Sequence, residues 1–353
     1  MRNTNIDPKI SLIAQMYNEL SDEEKSIFSR LVNGKRMTQV FNSENLGSFL
    51  RDNRFTEETA CCVHCGSIHF RKAGKVDDRQ VFRCGDCGRK FRYTSKTIFQ
   101  SAKLSLETYM KYIHCMMSGM SIRATAFECG ISKNSAFYLR HKILDALQEM
   151  EDEVQLDGVV EADETFFTLS FKGNHSRSRH FRMPRPARHR GSSNHTRGLS
   201  AEMVCVPCAV NLDGKSYAKV SGLGAANQLS IDSVLKNRIS RESILCTDLN
   251  GIYGKYALEN GLVHVQIKSN QRKSGVFTIQ HINNYHSRLK GFLRPFNGVA
   301  TKYLNNYLVW FNLARYAKGG RGFVESVWDR HNAKAKYVGS KWDFMKRPVI
   351  QAA

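Results

Sequence analysis

Short apolar runs bounded by turn residues predict a sheet in the second half of the chain. The apolar runs at 203–210 and 217–220 flank the turn Asn211-Leu212-Asp213-Gly214, as expected for two paired strands. An earlier run, from Gly158 to Phe167, is rich in Val, Thr and Phe, which favour strands. These three segments predict consecutive strands of one sheet.

After these strands, predicted helices alternate with short apolar strands. Helices are predicted at 231–239 and 253–259, and short apolar strands at 243–246 and 263–267. Three strands followed by helix, strand, helix and strand is the element order of an RNase H-like α/β domain. Ligands of such open sheets bind outside the strand ends, and Asp248 lies just beyond one of them.

Helical patterns dominate the first half. Residues 8–50 are predicted to be helical, with a capping-box start at Ser21, and a further helix is predicted at 106–120. Residues 121–140 predict a short helix, a turn at Gly130 and a second helix capped by Ser132, which is the helix-turn-helix layout. The alternative is a helical hairpin that packs against another part of the protein.

The second helix of this motif has two predicted faces. The inward face carries Ala136, Leu139, Ile143 and Leu147. The face expected to meet DNA bases or phosphates carries Lys133, Asn134, Tyr138 and His141.

Ten cysteines in a chain without a secretory signal favour metal binding or free thiols over disulfides. Two CxxC pairs, Cys62/Cys65 and Cys84/Cys87, enclose a predicted hairpin and indicate a zinc ribbon that holds one structural Zn²⁺. Because four thiolates fill the tetrahedral shell, the ribbon is expected to support structure or recognition rather than catalysis. Neighbouring Cys61 and His64 would break the symmetric geometry, and a third CxxC at 205–208 lies inside a strand, where buried thiols are expected.

The charge balance points to a polyanionic partner. The formal net charge is +21 and the pI is near 9.6, values typical of proteins that bind nucleic acid or anionic membranes. No apolar stretch is long enough to span a bilayer, so a cytosolic DNA-binding protein is expected. Residues 171–200 contain eight Lys or Arg and no acid, and are predicted to form a loop that clamps phosphates through Arg185, Arg188 and Arg190. A solvated arm is the simpler alternative.

Against this basic background, eight carboxylates crowd into residues 149–164 without any Lys or Arg. Strand alternation puts Glu161 and Asp163 on one face and Glu164 on the other, where Glu164 is expected to pair with a basic side chain. Clustered carboxylates attract divalent cations, and a divalent metal can bridge acids to phosphate. The pattern therefore predicts chemistry on a nucleic-acid backbone.

A third segment, 281–290, has the sequence His-Ile-Asn-Asn-Tyr-His-Ser-Arg-Leu-Lys. On a helix, Asn283 and Lys290 lie two turns apart on one face with His286 between them, so a metal ligand and a phosphate-binding ammonium can share that face. Taken alone, such residues are usually ordinary surface positions.

The ordered set of ribbon, acidic strand, Cys-Thr-Asp segment and Asn-Asn-Tyr-His-Ser-Arg-Leu-Lys helix resembles bacterial insertion-sequence transposases of the zinc-ribbon, ISXO-like DDE group. The resemblance covers most of the chain. It implies a catalytic triad at Asp163, Asp248 and Asn283, with Lys290 at the accompanying basic position. Asn283 stands where many relatives carry Glu.

The expected architecture is multidomain α+β. A helical segment (1–55), a zinc ribbon (56–100) and a helix-turn-helix region (101–150) precede an RNase H-like catalytic domain (155–320, with the insertion 171–200) and a basic tail (321–353). The expected function is a DNA transposase that binds terminal inverted repeats of an insertion sequence and cleaves and transfers strands. A non-catalytic transcription regulator and a metal-dependent nuclease without strand transfer are the alternatives.

The expected cofactors are two Mg²⁺ or Mn²⁺ ions held by Asp163, Asp248 and Asn283, and the expected partners are double-stranded DNA and further copies of the chain assembled on DNA ends. Because an amide replaces one carboxylate, the free protein is expected to bind Mg²⁺ weakly until a DNA phosphate joins the site.

Overall fold

The computed structural model describes residues 60–76, 79–100, 103–173, 200–268, 271, 273–313 and 347–348. The predicted helical segment at 8–50, most of the basic insertion with Arg185, Arg188 and Arg190, and most of the basic tail lie outside these ranges. None of the helices in the described ranges combines the length and the apolarity that crossing a bilayer requires.

The chain divides into two compact units, and the first contains the cysteine-rich module together with residues 103–110. Its three strands are β1 (Phe70–Val76), β2 (Arg79–Cys84) and β3 (Lys90–Phe91), which form one antiparallel sheet in that order. The predicted hairpin is confirmed, with Phe70 opposite Cys84 and Lys72 opposite Phe82. Phe82 and Phe91 stack with ring centroids 5.5 Å apart and form the small apolar core of this module.

The predicted helix-turn-helix segment forms two helices, and a third helix precedes them. The bounds are α1 (Leu106–Met117), α2 (Ile122–Glu128) and α3 (Lys133–Asp152). Ser132 caps α3 as predicted, since its hydroxyl accepts from the backbone N–H of Ser135 at 3.0 Å, and Gly130 adopts the left-handed φ of 63° that the turn requires. All four residues predicted to face inward from α3 are buried.

The second unit is built on a sheet of six strands. The strands are β4 (Val159–Thr168), β5 (Met203–Asn211), β6 (Ser216–Ala218), β7 (Gly222–Leu223), β8 (Ile244–Thr247) and β9 (Val263–Gln266). Their order is β6-β5-β4-β8-β9, with β7 paired to β5. The first three strands are antiparallel, whereas β8 and β9 run parallel to β4. The predicted succession of three strands, helix, strand, helix and strand is therefore observed, with the short β7 added.

Helices cover both faces of this sheet. The helices are α4 (Gln228–Leu235), α5 (Gly251–Asn260), α6 (Gln280–Leu293) and α7 (Leu304–Phe311); a small hairpin, β10 (Lys273–Ser274) with β11 (Phe277–Thr278), precedes α6. Val160 and Ala162 of β4 are fully buried in one core with residues of α4 and α5. The side chains of the other face of β4 meet α6, because Glu161 and Asp163 contact residues of that helix. The predicted alternation along β4 is thus confirmed.

The helix-turn-helix segment belongs to the second unit and packs on helix α7 of that unit. Arg140 of α3 is fully buried and lies over the ring of Trp310 in α7, 4.8 Å from the ring centroid. Further along, Asp145 of α3 accepts hydrogen bonds from Asn306 of α7 and from Arg347, whose Nη2 lies 2.5 Å from both carboxylate oxygens. Helix α3 therefore contacts α7 at two positions along its length, Arg140 and Asp145.

The start of the basic insertion is anchored. Phe171 is buried, and the Nζ of Lys172 donates to the carbonyl oxygens of residues 296, 297 and 298 at 2.7–3.0 Å. Residues 171 and 172, with which the predicted insertion begins, are therefore held against the packed domain.

Candidate functional site

Two aspartates come together beside the carboxyl end of β8. Strand β4 runs parallel to β8 with Glu161 opposite Cys246, so the same register continued by two residues brings Asp163 level with Asp248. Asp248 follows the last residue of β8 directly, and its carboxylate accepts from the backbone N–H of Asn250 at 3.0 Å. Asn250 in turn caps α5, which fixes the loop that carries Asp248.

The electrostatics of Asp163 show that charged groups converge around it. Burial and, after it, the neighbouring charges of Glu164 and Asp248 raise its pKa to about 7, while Lys290 acts in the opposite direction. These interactions place carboxylates from β4 and from the end of β8 beside an ammonium from α6. Two like charges held close in a partly buried site favour either a bound proton or a bound cation.

Glu164 has partners other than the predicted one. Its carboxylate accepts from the hydroxyl of Tyr253 at 3.0 Å and from the side-chain amide of Asn250 at 3.2 Å. The prediction of a basic partner is wrong, because Glu164 points to the face covered by α5, whose nearby donors are neutral. Burial raises the pKa of Glu164, and the Tyr253 hydroxyl partly offsets this effect.

Helix α6 presents the third segment. Asn283 and Lys290 are exposed, and His286 between them is buried. The Nδ1 of His286 lies 3.7 Å from Oδ2 of Asp163, and burial, with the nearby Lys290 charge, lowers the pKa of His286 to about 4. His286 was noted in the sequence only as lying between the two proposed site residues. Its contact with Asp163 follows from the packing of α6 on the sheet.

Glu161 contacts the helix that carries the third segment, whereas the sequence indicated only that it shares a face of β4 with Asp163. It is 1% exposed, and its two oxygens lie 2.6 Å from Nδ1 of His281 and 3.0 Å from the backbone nitrogen of Ile282. Both partners stand at the start of α6, 120 residues further along the chain. No local pattern links these positions.

The four predicted zinc ligands form a compact cluster. The Sγ atoms of Cys62, Cys65, Cys84 and Cys87 all lie within 4.8 Å of one another. The backbone N–H of Cys87 donates to Sγ of Cys84 and lowers the pKa of that thiol to about 6. Four convergent sulfur atoms fit the tetrahedral shell of zinc.

The acidic site has fewer protein ligands than the cysteine cluster. Within the described ranges, the four cysteines are the one group of at least three His, Cys, Asp or Glu side chains whose donor atoms lie this close together. A cation at Asp163 and Asp248 would need further oxygen donors, such as an amide or a phosphate.

One predicted DNA contact is wrong. His141 is buried, and its ring centroid lies 4.3 Å from that of Tyr303 and 4.5 Å from that of Phe137. Helix α3 turns this position toward α7 rather than toward solvent. Lys133 and Asn134 are exposed and Tyr138 is half-buried, so their DNA contacts stay predictions, as do those of the three arginines outside the described residues.

The part of the chain that carries the acidic site is similar to a known family of domains. Residues 155–312 match a family model, that of the ISXO2-like transposase domain, and this range includes β4, the end of β8 and α6. This match confirms the resemblance to ISXO-like transposases seen in the sequence.

A curated relative supports this assignment over a longer stretch. The chain is 25% identical over 274 residues to a protein of Halobacterium salinarum described as an uncharacterized protein in transposable element ISH50. The alignment covers 75% of this chain and 90% of the relative.

Solved structures show weaker similarity. A chain in the structure of a simian T-cell lymphotropic virus intasome in complex with PP2A regulatory subunit B56 gamma is 11% identical, with coverage of 63% of this chain and 74% of that chain and a TM-score of 0.30. A chain of a pre-cleavage Mos1 transpososome is 10% identical, with coverage of 62% and 75% and a TM-score of 0.21.

Proposed function

We propose that this protein is a DNA transposase that binds the terminal inverted repeats of an insertion sequence and carries out metal-dependent strand cleavage and strand transfer. The observation that carries the proposal is the convergence of Asp163 and Asp248, two half-buried acids from separate strands, beside the ammonium of Lys290. Paired carboxylates next to a cationic side chain suit a phosphodiester substrate with divalent metal ions.

The sheet supports an RNase H-like assignment for this domain. Its order is β6-β5-β4-β8-β9, with three antiparallel strands followed by two parallel ones, and it fits the succession of elements predicted from the sequence. Asp248 lies at the carboxyl end of β8, where open α/β sheets place their ligands, and Asp163 lies two residues beyond the part of β4 that pairs with β8.

The residues at the acidic site fit Mg²⁺ or Mn²⁺. Asp163 and Asp248 would supply carboxylate oxygens, and the exposed Asn283, one helical turn before His286, would supply an amide oxygen. Bound metal ions would make a water or 3′-hydroxyl more nucleophilic and would stabilise the leaving oxygen. Lys290 would neutralise phosphate charge near the scissile bond. Glu164, held by Tyr253 and Asn250, would keep the loop of Asp248 in place.

We assign the four-cysteine cluster to one structural Zn²⁺. The cluster is folded around apolar side chains and leaves no open ligand position, so it would stabilise the ribbon rather than react. The exposed Lys133 and Asn134 at the start of α3, together with the arginines at 185, 188 and 190, would contact DNA, and copies of the chain would assemble on paired DNA ends.

The test is a cleavage and strand-transfer assay with a labelled duplex that carries the element's terminal repeat, in Mg²⁺ or Mn²⁺. We expect cut and joined products with the wild-type protein and loss of both with Asp163→Ala and Asp248→Ala, while DNA binding persists. Asp157→Ala is the matched control, because Asp157 is an exposed carboxylate just before β4 that pairs with Lys215 instead of facing the site.

The other functions give different results. Specific DNA binding without metal-dependent cutting would identify a regulator, and cutting without joined products would identify a nuclease. Activity that survives both aspartate substitutions would refute the proposed site.

A further inference from the structure

Helix α6 has no cap from the residue directly before it, although the hydroxyl of Thr278 accepts from the N–H of Gln280 at 3.1 Å. The position before its first residue is Ile279, which offers no side-chain hydrogen bond. The backbone N–H of Asn283 donates to the carbonyl of Ile279 at 3.2 Å, whereas the N–H groups of the preceding turn have no partner within the helix.

Glu161 supplies the missing cap from the neighbouring strand. Its Oε2 accepts the N–H of Ile282 at 3.0 Å, and Ile282 is the third residue of α6, where local capping side chains usually bind. Its Oε1 lies 2.6 Å from Nδ1 of His281. A carboxylate at a helix N-terminus is also stabilised by the positive end of the helix dipole, which explains how an acid only 1% exposed is tolerated there.

The cap joins the two elements that carry the proposed catalytic residues. Glu161 lies two residues before Asp163 on the same face of β4, and Ile282 directly precedes Asn283 on α6. The hydrogen bond from the Ile282 N–H to Glu161 therefore links the strand to the helix. It lies two residues from Asp163 and one residue from Asn283 along the chain.

We infer that Glu161 is a positioning residue, which holds Asn283 at metal-binding distance from Asp163. This inference rests on the proposed function. Glu161 does not itself serve as a metal ligand, because both of its oxygens are engaged by α6 and its side chain is closed to solvent. Groups that orient metal ligands in this way typically change metal affinity by about 10–100-fold when they are removed.

The test compares Glu161→Ala with Glu161→Gln in the full-length, zinc-loaded protein on a duplex with the terminal repeat. Gln keeps an oxygen for the Ile282 N–H, and Ala removes it. Three quantities are measured: amide hydrogen exchange at residues 280–285, the Mn²⁺ concentration at half-saturation from the electron paramagnetic resonance signal of free Mn²⁺, and the metal dependence of strand cleavage.

We expect Glu161→Ala to speed exchange at the start of α6 by about fivefold or more, as for loss of a helix cap, and to raise the Mn²⁺ midpoint about tenfold or more. Glu161→Gln should stay close to the wild type in both measurements. Glu151→Ala is the matched control, since Glu151 is also a carboxylate only 1% exposed but bonds to Asn312 instead of the start of α6.

Three results would overturn the inference: an unchanged Mn²⁺ midpoint in Glu161→Ala, equal damage in Glu161→Gln, or the same midpoint shift in Glu151→Ala, which would indicate general destabilisation. If the wild-type protein binds Mn²⁺ on DNA but does not cut, the proposed function fails, and the Mn²⁺ midpoints still decide the role of Glu161. If the wild-type protein binds no Mn²⁺ on DNA, both fail.

Discussion

Glu151 offers a direct test of how the helix-turn-helix segment is joined to the sheet domain. It lies near the end of α3, where one oxygen accepts from the amide of Asn312 and the other has no hydrogen-bonding partner in the described part of the chain. Asn312 also accepts from the hydroxyl groups of Tyr285, at 2.7 Å, and Ser216, at 3.1 Å. Burial raises the pKa of Glu151 from 4.5 to about 8.

The raised pKa of Glu151 determines whether the stability of the protein rises or falls with pH. Below pH 4.5 the carboxyl group is protonated in both folded and unfolded chains and has no effect on stability. Between pH 4.5 and pH 8 the folded protein holds a proton that the unfolded chain has released, so stability falls as the pH rises. The two values lie about 3.5 pH units apart, which sets an upper limit of about 5 kcal/mol on the loss.

Glu151→Gln removes this loss, because the amide resembles the protonated acid and still accepts from Asn312. We expect the variant to differ from the wild type by less than about 1 kcal/mol at pH 5 and to be more stable by at least about 2 kcal/mol at pH 8.5. Urea unfolding followed by tryptophan fluorescence at both pH values measures the difference, and the buried Trp310 is one of the three tryptophans of the chain. A difference that does not grow with pH, or a variant less stable than the wild type at pH 8.5, would refute the reasoning.

Three further predictions concern the remaining parts of the chain. Cys84→Ser should reduce the zinc content measured by mass spectrometry from one ion per chain toward none, and an unchanged content would exclude the four-cysteine site. Arg347→Ala should destabilise the fold by about 3–5 kcal/mol in urea unfolding, because it leaves the mostly buried Asp145 without its cation; a loss below about 1 kcal/mol would mean that the pair contributes little. Lys133→Ala should weaken DNA binding and reduce the slope of log affinity against log salt by about 1, whereas His141→Ala should lower thermal stability and leave that slope unchanged.

Patterns that are local in the chain were predictable. The apolar runs of β4 and β5 and the helical spacing in α3 are each patterns within a single stretch of the chain. The cysteine spacing also suffices for its cluster, because a CxxC turn brings two thiolates together and the hairpin between the pairs closes the set. Asp163 and Asp248 could be proposed since both lie on or just beyond a predicted strand.

The partners of Glu161, Glu164 and His141 could not be predicted. Each depends on which helix covers which face of the sheet, a choice made by side chains far away in the chain. Glu161 meets His281 across 120 residues, and Glu164 meets Tyr253 across 89. His141 has a polar side chain at a position that the helical pattern leaves toward solvent, yet Tyr303 covers it.

The amino-acid sequence therefore determined the elements, the cysteine site and the two aspartates, because hydrophobic period and short-range spacing are properties of neighbouring residues. The tertiary structure decided which acids are desolvated, which are hydrogen-bonded and which face the shared site. Those properties follow from burial and from donors brought together by packing, and neither is encoded in any single stretch of the chain.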